Sequence, residues 1–161
     1  MYLDPRRPPR PLERSVSTAL RERALRLLAR RDYSRFELAR KLAGEEEPSP
    51  QLEETLDSLA EQGLLSDSRY AFSRSHSRSK VLGNARLAGE LRARGVDEQL
   101  VSAALASIED EASRARRVWQ RKFDQPPASA KEYVRQTRFL AARGFTGETI
   151  RQLLRGSRED D

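Results

Sequence analysis

The chain has no cysteine, so disulfides and thiolate metal sites are excluded, which fits a reducing compartment. No run of about eighteen apolar residues occurs, so no segment reads as membrane-spanning. Met1 to Pro11 carries charges and prolines but no apolar core, and so is not a secretory signal. A soluble cytoplasmic protein is expected. Catalytic equipment is scarce as well. The single histidine, His76, stands in Arg74-Ser75-His76-Ser77-Arg78 and reads as a solvent-facing imidazole. No serine has a nucleophile motif around it. Gly144-Phe145-Thr146-Gly147 is too short for a phosphate loop and lacks its lysine. Glu45-Glu46-Glu47 reads as a solvated acidic turn. The expectation is a protein that is not an enzyme and has no cofactor and no metal.

What the chain has in plenty is charge: 35% of its 161 residues, with a net of +6. Of the basic residues, 27 are arginine and only Lys41, Lys80, Lys122 and Lys131 are lysine. Arginine suits phosphate and interface work because its planar fork makes paired hydrogen bonds, although a GC-rich genome also supplies arginine codons. The distribution says more than the total. Residues 1–15 carry +2, residues 16–65 carry −2, residues 66–108 carry +3, residues 109–156 carry +5 and residues 157–161 carry −2. The basic field therefore belongs to the second and third parts of the chain, and such a field attracts an anionic partner, most often nucleic acid.

Residues 1–15 are rich in proline and arginine and read as a disordered basic arm. From there every window is helical. Leu20, Ala24, Leu27, Leu28 and Arg31 mark one face of a helix from about Ser17 to Arg31. Ser34 with Glu37, and Ser129 with Glu132, form capping-box patterns. Ser49-Pro50 looks like an N-cap followed by proline at the first helical position. Asp97 and Thr146 are further caps, and Gly44, Gly63, Gly95 and Gly144 are stops. Leu64 and Leu65, in the link between Gly63 and Asp67, read as packed. A register of 49 residues then emerges: Leu42, Leu91 and Leu140 match, as do Leu52, Val101 and Ile150, and Leu56, Leu105 and Leu154. Two irregularities stand out. Leu38 and Leu87 line up with Gln136, and the first unit has an acidic turn where Gly95 and Gly144 stand. A fixed long period means stacked units. The expected fold is all-α, with three tandem three-helix modules (16–65, 66–108 and 109–156) in an elongated, curved molecule, followed by a disordered tail at 157–161. Units this small depend on their neighbours for stability.

The basic helices supply the candidate contact residues. Arg69, Arg74 and Arg78 lie at spacings of five and four; Arg114, Arg117, Arg121 and Lys122 share one helix with Trp119; Arg135, Arg138 and Arg143 follow on another. Phosphates can be held this way at a cost in salt sensitivity. Arginine stems that simply cover apolar surface look the same.

Four stretches resemble the RecX family, the regulators of the RecA recombinase. They are Gly63-Leu64-Leu65-Ser66-Asp67 with Arg69-Tyr70-Ala71; Glu90-Leu91-Arg92-Ala93-Arg94-Gly95-Val96-Asp97; Arg121-Lys122-Phe123; and Arg138-Phe139-Leu140-Ala141-Ala142-Arg143-Gly144-Phe145. The match begins near Ala24 and covers nearly all of the remaining chain. The resemblance implies a non-enzymatic modulator, most often an inhibitor. It would act as a monomer along the groove of the RecA–single-stranded DNA filament and restrain ATP hydrolysis and strand exchange. Weak binding to free DNA is expected beside it. The acidic turn at Glu45–Pro50 departs from the basic-glycine turn common in the family. Two rivals are a helix-turn-helix protein that binds duplex DNA through short helices such as those of Arg86–Ala106, and a scaffold with no nucleic-acid role.

Overall fold

The caps do the work of division. In a computed structural model that describes residues 11–159, the Oγ of Ser34 accepts the Glu37 N–H at 3.1 Å and that of Ser49 accepts the Leu52 N–H at 3.2 Å. Asp97 accepts from Gln99 N at 2.9 Å, Asp110 from Ser113 N at 2.9 Å, and Ser129 from Glu132 N at 3.2 Å. Each bond satisfies a donor that a helix start leaves without an internal partner. The helices that result are α1 (Pro11–Leu28), α2 (Arg35–Ala43), α3 (Pro50–Glu61), α4 (Asp67–Arg78), α5 (Asn84–Ala93), α6 (Glu98–Ala106), α7 (Glu111–Lys122), α8 (Ala130–Ala142) and α9 (Gly147–Glu159). No strand occurs among the described residues, so the all-α expectation holds.

The stops are equally local. Gly63, Gly95 and Gly144 have φ of 72°, 72° and 84°. After each, the next N–H turns back onto the helix: Leu64 to Leu59 O at 2.9 Å, Val96 to Leu91 O at 3.1 Å, Phe145 to Leu140 O at 3.3 Å. This is the glycine-terminated helix end in which the left-handed residue frees the chain to satisfy a last carbonyl. The first module does have its glycine. Gly44, at φ 64°, closes α2 two residues before the position that the 49-residue register assigns, and the acidic turn takes up the difference. In the link after α3, Leu65 is buried but Leu64 is exposed, so only one of the two packs.

Several boundaries differ from the sequence expectation, and α1 ends at Leu28, three residues short of Arg31. α1 starts at Pro11, six residues before Ser17, because proline is tolerated at a helix start, where its missing N–H has no partner to lose. Residues 11–15 are therefore helical, and the rest of the expected arm, 1–10, lies outside the described residues. At the other end α9 runs on to Glu159, and the last two positions of the expected tail are not described.

Each set of three helices closes on its own apolar cluster. The first holds Ala24, Leu38, Leu42, Leu52, Leu56, Leu59 and Leu65. The second holds Tyr70, Ala71, Ala88, Leu91, Val96, Val101 and Ala104. The third is the most aromatic, with Val118, Trp119, Phe123, Leu140, Phe145, Ile150 and Leu154. Of the register residues, all but the half-buried Leu105 are fully buried. The irregular position is buried too. Gln136 sits inside the third cluster, where its Oε1 accepts the Trp119 indole N–H at 2.8 Å and its amide donates to Gln125 O at 3.1 Å. A polar side chain enters a core when it satisfies another polar group there.

Contacts divide the chain into two compact units, one ending at Asp67 and one beginning at Ser68. In the first, Arg31 makes a two-point ion pair with the buried Glu37, at 2.7 and 3.1 Å, and lies 3.7 Å over the Tyr33 ring. The second unit holds modules two and three together.

Candidate interface for a polyanionic partner

Helix ends join the second and third modules. The start of α5 has unused N–H groups and the end of α8 has unused carbonyls. Gly83 N donates to Arg143 O at 2.8 Å, and Ala85 N donates to Gly144 O at 3.0 Å. The Arg86 guanidinium adds a bond to Ala142 O at 2.9 Å. The backbones come so close that a Cβ on Gly83 would overlap Phe145 N and the Gly144 carbonyl, and one on Gly144 would overlap Arg86.

Beside this contact lies a polar core. Arg114, on α7, is only 2% exposed. It donates to Glu109 O at 2.8 Å, to Leu82 O at 2.6 Å, to Ser79 O at 3.4 Å and to Asn84 Oδ1. Burial pushes its pKa down, partly offset by the charges of Glu111, Glu109 and Asp110. Glu111, three residues earlier, bridges two helix starts: it accepts from Asn84 N at 2.8 Å, from Thr146 Oγ1 at 2.8 Å and from Thr149 Oγ1 at 2.7 Å. Burial raises its pKa, but the bonds from Thr149, Asn84 and Thr146 outweigh burial and hold the carboxyl below its usual value. A carboxylate depressed in the fold stabilises it above the unfolded pKa and stops doing so as pH falls through the folded one. Urea midpoints measured from neutral pH into the acid range are therefore expected to fall as pH drops below the ordinary carboxylate range, and Glu111→Gln should flatten that dependence. An unchanged pH slope in the variant would show that the bridge does not form.

Each of the two modules gathers cations of its own. In module two, Arg78 and Arg74 reach the Glu90 carboxylate at 3.1 and 3.4 Å. Partial burial raises the Glu90 pKa, but the Arg78 bond and the fields of Arg78, Arg74 and Arg86 reverse this and lower it. Three arginines thus share one acid. In module three, Arg143 lies 3.8 Å over the Phe139 ring and Lys122 lies 6.0 Å over it. Phe139 meets Phe123 edge-on at 5.2 Å, and Arg135 covers Phe123 at 5.5 Å. Cation–ring contacts of this kind hold a side chain in place while its N–H groups stay available. Asp124 and Glu132 border the same corner, but Glu132 turns back to the Ala128 N–H at 2.8 Å. The outcome is a belt of contacts through Arg74, Arg78, Arg86, Arg143, Lys122 and Arg135.

The other residues expected at the interface fall elsewhere. Arg69, Arg121 and Arg138 are exposed outside the belt. Arg117 pairs with Glu109 and lines a groove of about 510 Å³ between α7 and α9 with Arg116 and Gln120. Arg114 is the correction: its guanidinium is consumed inside the protein, so it offers nothing to a partner. Periodicity could have revealed this, because Arg114 lies four residues before the buried Val118 and next to the buried Ala115. Arg86 was missed, and its spacing of four from Glu90 on one helix was the available signal.

No described helix is long and apolar enough to cross a membrane. Family models for the first, second and third three-helix domains of RecX match residues 21–59, 66–105 and 109–154. Among relatives, Regulatory protein RecX of Leptothrix cholodnii is 44% identical over 138 residues, 85% of this chain and 88% of that protein. The Pseudomonas entomophila protein of the same name is 46% identical over 141 residues, covering 86% of this chain and 91% of its own length. The crystal structure of RecX from Lactobacillus salivarius superposes with a TM-score of 0.79 at 16% identity, over 90% of this chain and 98% of that one, which supports the fold. With all three domain models matched in order and relatives this similar over most of their length, the chain belongs to the RecX family of regulatory proteins.

Proposed function

We propose that this chain regulates the RecA recombinase by binding, as a monomer, along the groove of the RecA–single-stranded DNA filament and restraining ATP hydrolysis and strand exchange. The observation that carries the reading is the belt of Arg74, Arg78, Arg86, Arg143, Lys122 and Arg135 in a chain that belongs to a regulatory family. A nucleoprotein filament is polyanionic, and cations already oriented by rings and a shared carboxylate lose little freedom on meeting phosphate or carboxylate oxygens. Bridging successive protomers would resist the conformational steps of ATP turnover. The duplex-binding alternative loses ground on α6, the helix that would enter the groove. Its sequence, EQLVSAALA, contains no cation to reach phosphates and one glutamine to read a base.

The test is DNA-dependent ATP hydrolysis by the cognate RecA, with this protein added to preformed filaments. Inhibition is expected well below one molecule per protomer, at salt where the protein does not bind bare DNA. Arg135→Glu combined with Arg143→Glu is expected to raise the half-inhibiting concentration about tenfold or more, a loss of about 1.4 kcal/mol or more in binding. No effect of the wild-type protein at any ratio would sink the reading.

A further inference from the structure

We infer that the Gly83–Gly144 contact makes the cations of modules two and three a single preset surface for the phosphate backbone of a nucleic-acid strand, so that the two modules bind as one body. The inference rests on the belt being the binding surface. It adds where that surface is assembled and what keeps it assembled.

Each half of the belt is built within its own module. Arg74, Arg78 and Arg86 gather around Glu90, and Arg143, Lys122 and Arg135 gather on Phe139 and Phe123. The junction joins the halves. Arg86, the last cation of the first group, bonds to Ala142 O at 2.9 Å, one residue from Arg143, the first cation of the second. That bond depends on α5 and α8 meeting backbone to backbone, which the two glycines permit and any side chain would prevent. Arg114 and Glu111 fasten the same junction from beneath. Two rigidly linked sites gain from a high effective concentration, because the second binding step becomes intramolecular. Cations outnumber acids in the belt, where Arg74 and Arg78 share Glu90 and only Asp124 and Glu132 border the far corner, and its contacts continue without a break from Arg74 across the junction to Arg135. That arrangement fits a chain of evenly spaced phosphates better than an irregular acidic protein surface. Arg86 counts here as one contact, and the backbone bonds of Gly83 and Ala85 do the positioning.

Gly83 offers a clean test. Its φ of −81° and ψ of 171° are open to any residue, and it is the N-cap of α5 without a side-chain capping bond. Gly83→Ser should therefore preserve α5, since serine is a favoured cap, while its Cβ forces the junction apart. Binding to an oligothymidylate would be measured by fluorescence anisotropy from about 50 to 200 mM salt, where the slope counts phosphates neutralised at about 0.7 each. The wild-type chain is expected to show a slope near −4, as six contacts would produce, and Gly83→Ser a slope near −2 with at least tenfold weaker binding. Hydrogen exchange at the Ala85 amide, which is bonded to Gly144 O, reports whether the junction has opened. Arg86→Ala should reduce the slope by about one contact only.

Three results would overturn the inference: an opened junction with unchanged slope and affinity, an Ala85 amide still protected in Gly83→Ser, or polyglutamate bound more tightly than the oligonucleotide at equal salt. None bears on the ATPase assay, so a wild-type protein that inhibits RecA while Gly83→Ser binds DNA normally would end the coupling proposal and leave the regulator standing.

Discussion

Arg114→Ala is expected to destabilise the second unit by about 3–5 kcal/mol, the range for removing one partner from a buried charge network. The guanidinium satisfies the carbonyls of Glu109, Leu82 and Ser79 and the side chain of Asn84, all from within the fold. Alanine would leave those acceptors without a donor and open a cavity among them, and each unsatisfied buried group costs about 1–3 kcal/mol. Arg114→Lys should recover little, because one ammonium cannot span a set of acceptors arranged for a planar fork. Urea unfolding with a well-determined slope would measure the loss. The contrasting result is just as clear. If Arg114 served a partner, stability would stay within about 1 kcal/mol of wild type and the salt slope of DNA binding would fall by about one contact instead.

Trp119→Ala should cost about 3–5 kcal/mol, as large aromatic truncations in cores do. Trp119 is buried in the third cluster beside Val118, Phe123 and Leu140, so a cavity would remain. Its indole N–H also binds Gln136 Oε1, and this explains an irregularity of the repeat. Leucine stands at the equivalent positions Leu38 and Leu87. Restoring the pattern with Gln136→Leu is nevertheless expected to destabilise by about 1–3 kcal/mol, because the indole N–H and Gln125 O would both lose their partner. Trp119→Phe with Gln136→Leu removes donor and acceptor together, and should be less costly than the two single changes summed. A double-mutant cycle in denaturant measures this coupling. Strict additivity would mean that the buried pair contributes nothing.

Most of the fold was legible in the chain, and the reason is the range of the interactions involved. Ser34, Ser49, Asp97 and Ser129 cap donors two or three residues away, and Gly63, Gly95 and Gly144 terminate helices by their own backbone angle. Such bonds form from neighbours in sequence, and the 49-residue recurrence of buried leucine, valine and isoleucine comes from three copies of one such plan. The start of α1 was less legible. Proline forbids a helix interior but not a helix start, so a proline-rich stretch does not say which of its prolines comes first.

The candidate interface was legible in outline alone. Charge counting located the basic field in the last two modules, where Arg74 and Arg78 share one carboxylate and Lys122, Arg135 and Arg143 lie over two rings. It could not sort one arginine from another. Arg114 and Arg117 differ by three residues on one helix, yet the first is buried against carbonyls of the preceding module and the second lies beside an open groove. Local order alone set the helices, their ends and the repeat, because hydrogen bonds and apolar faces a few residues apart are enough to specify them. The fate of each cation, and the joining of two modules at a pair of glycines, depended on which surfaces the third dimension pressed together. A guanidinium faces solvent or a carbonyl according to what packs above it, and no spacing along a chain records that.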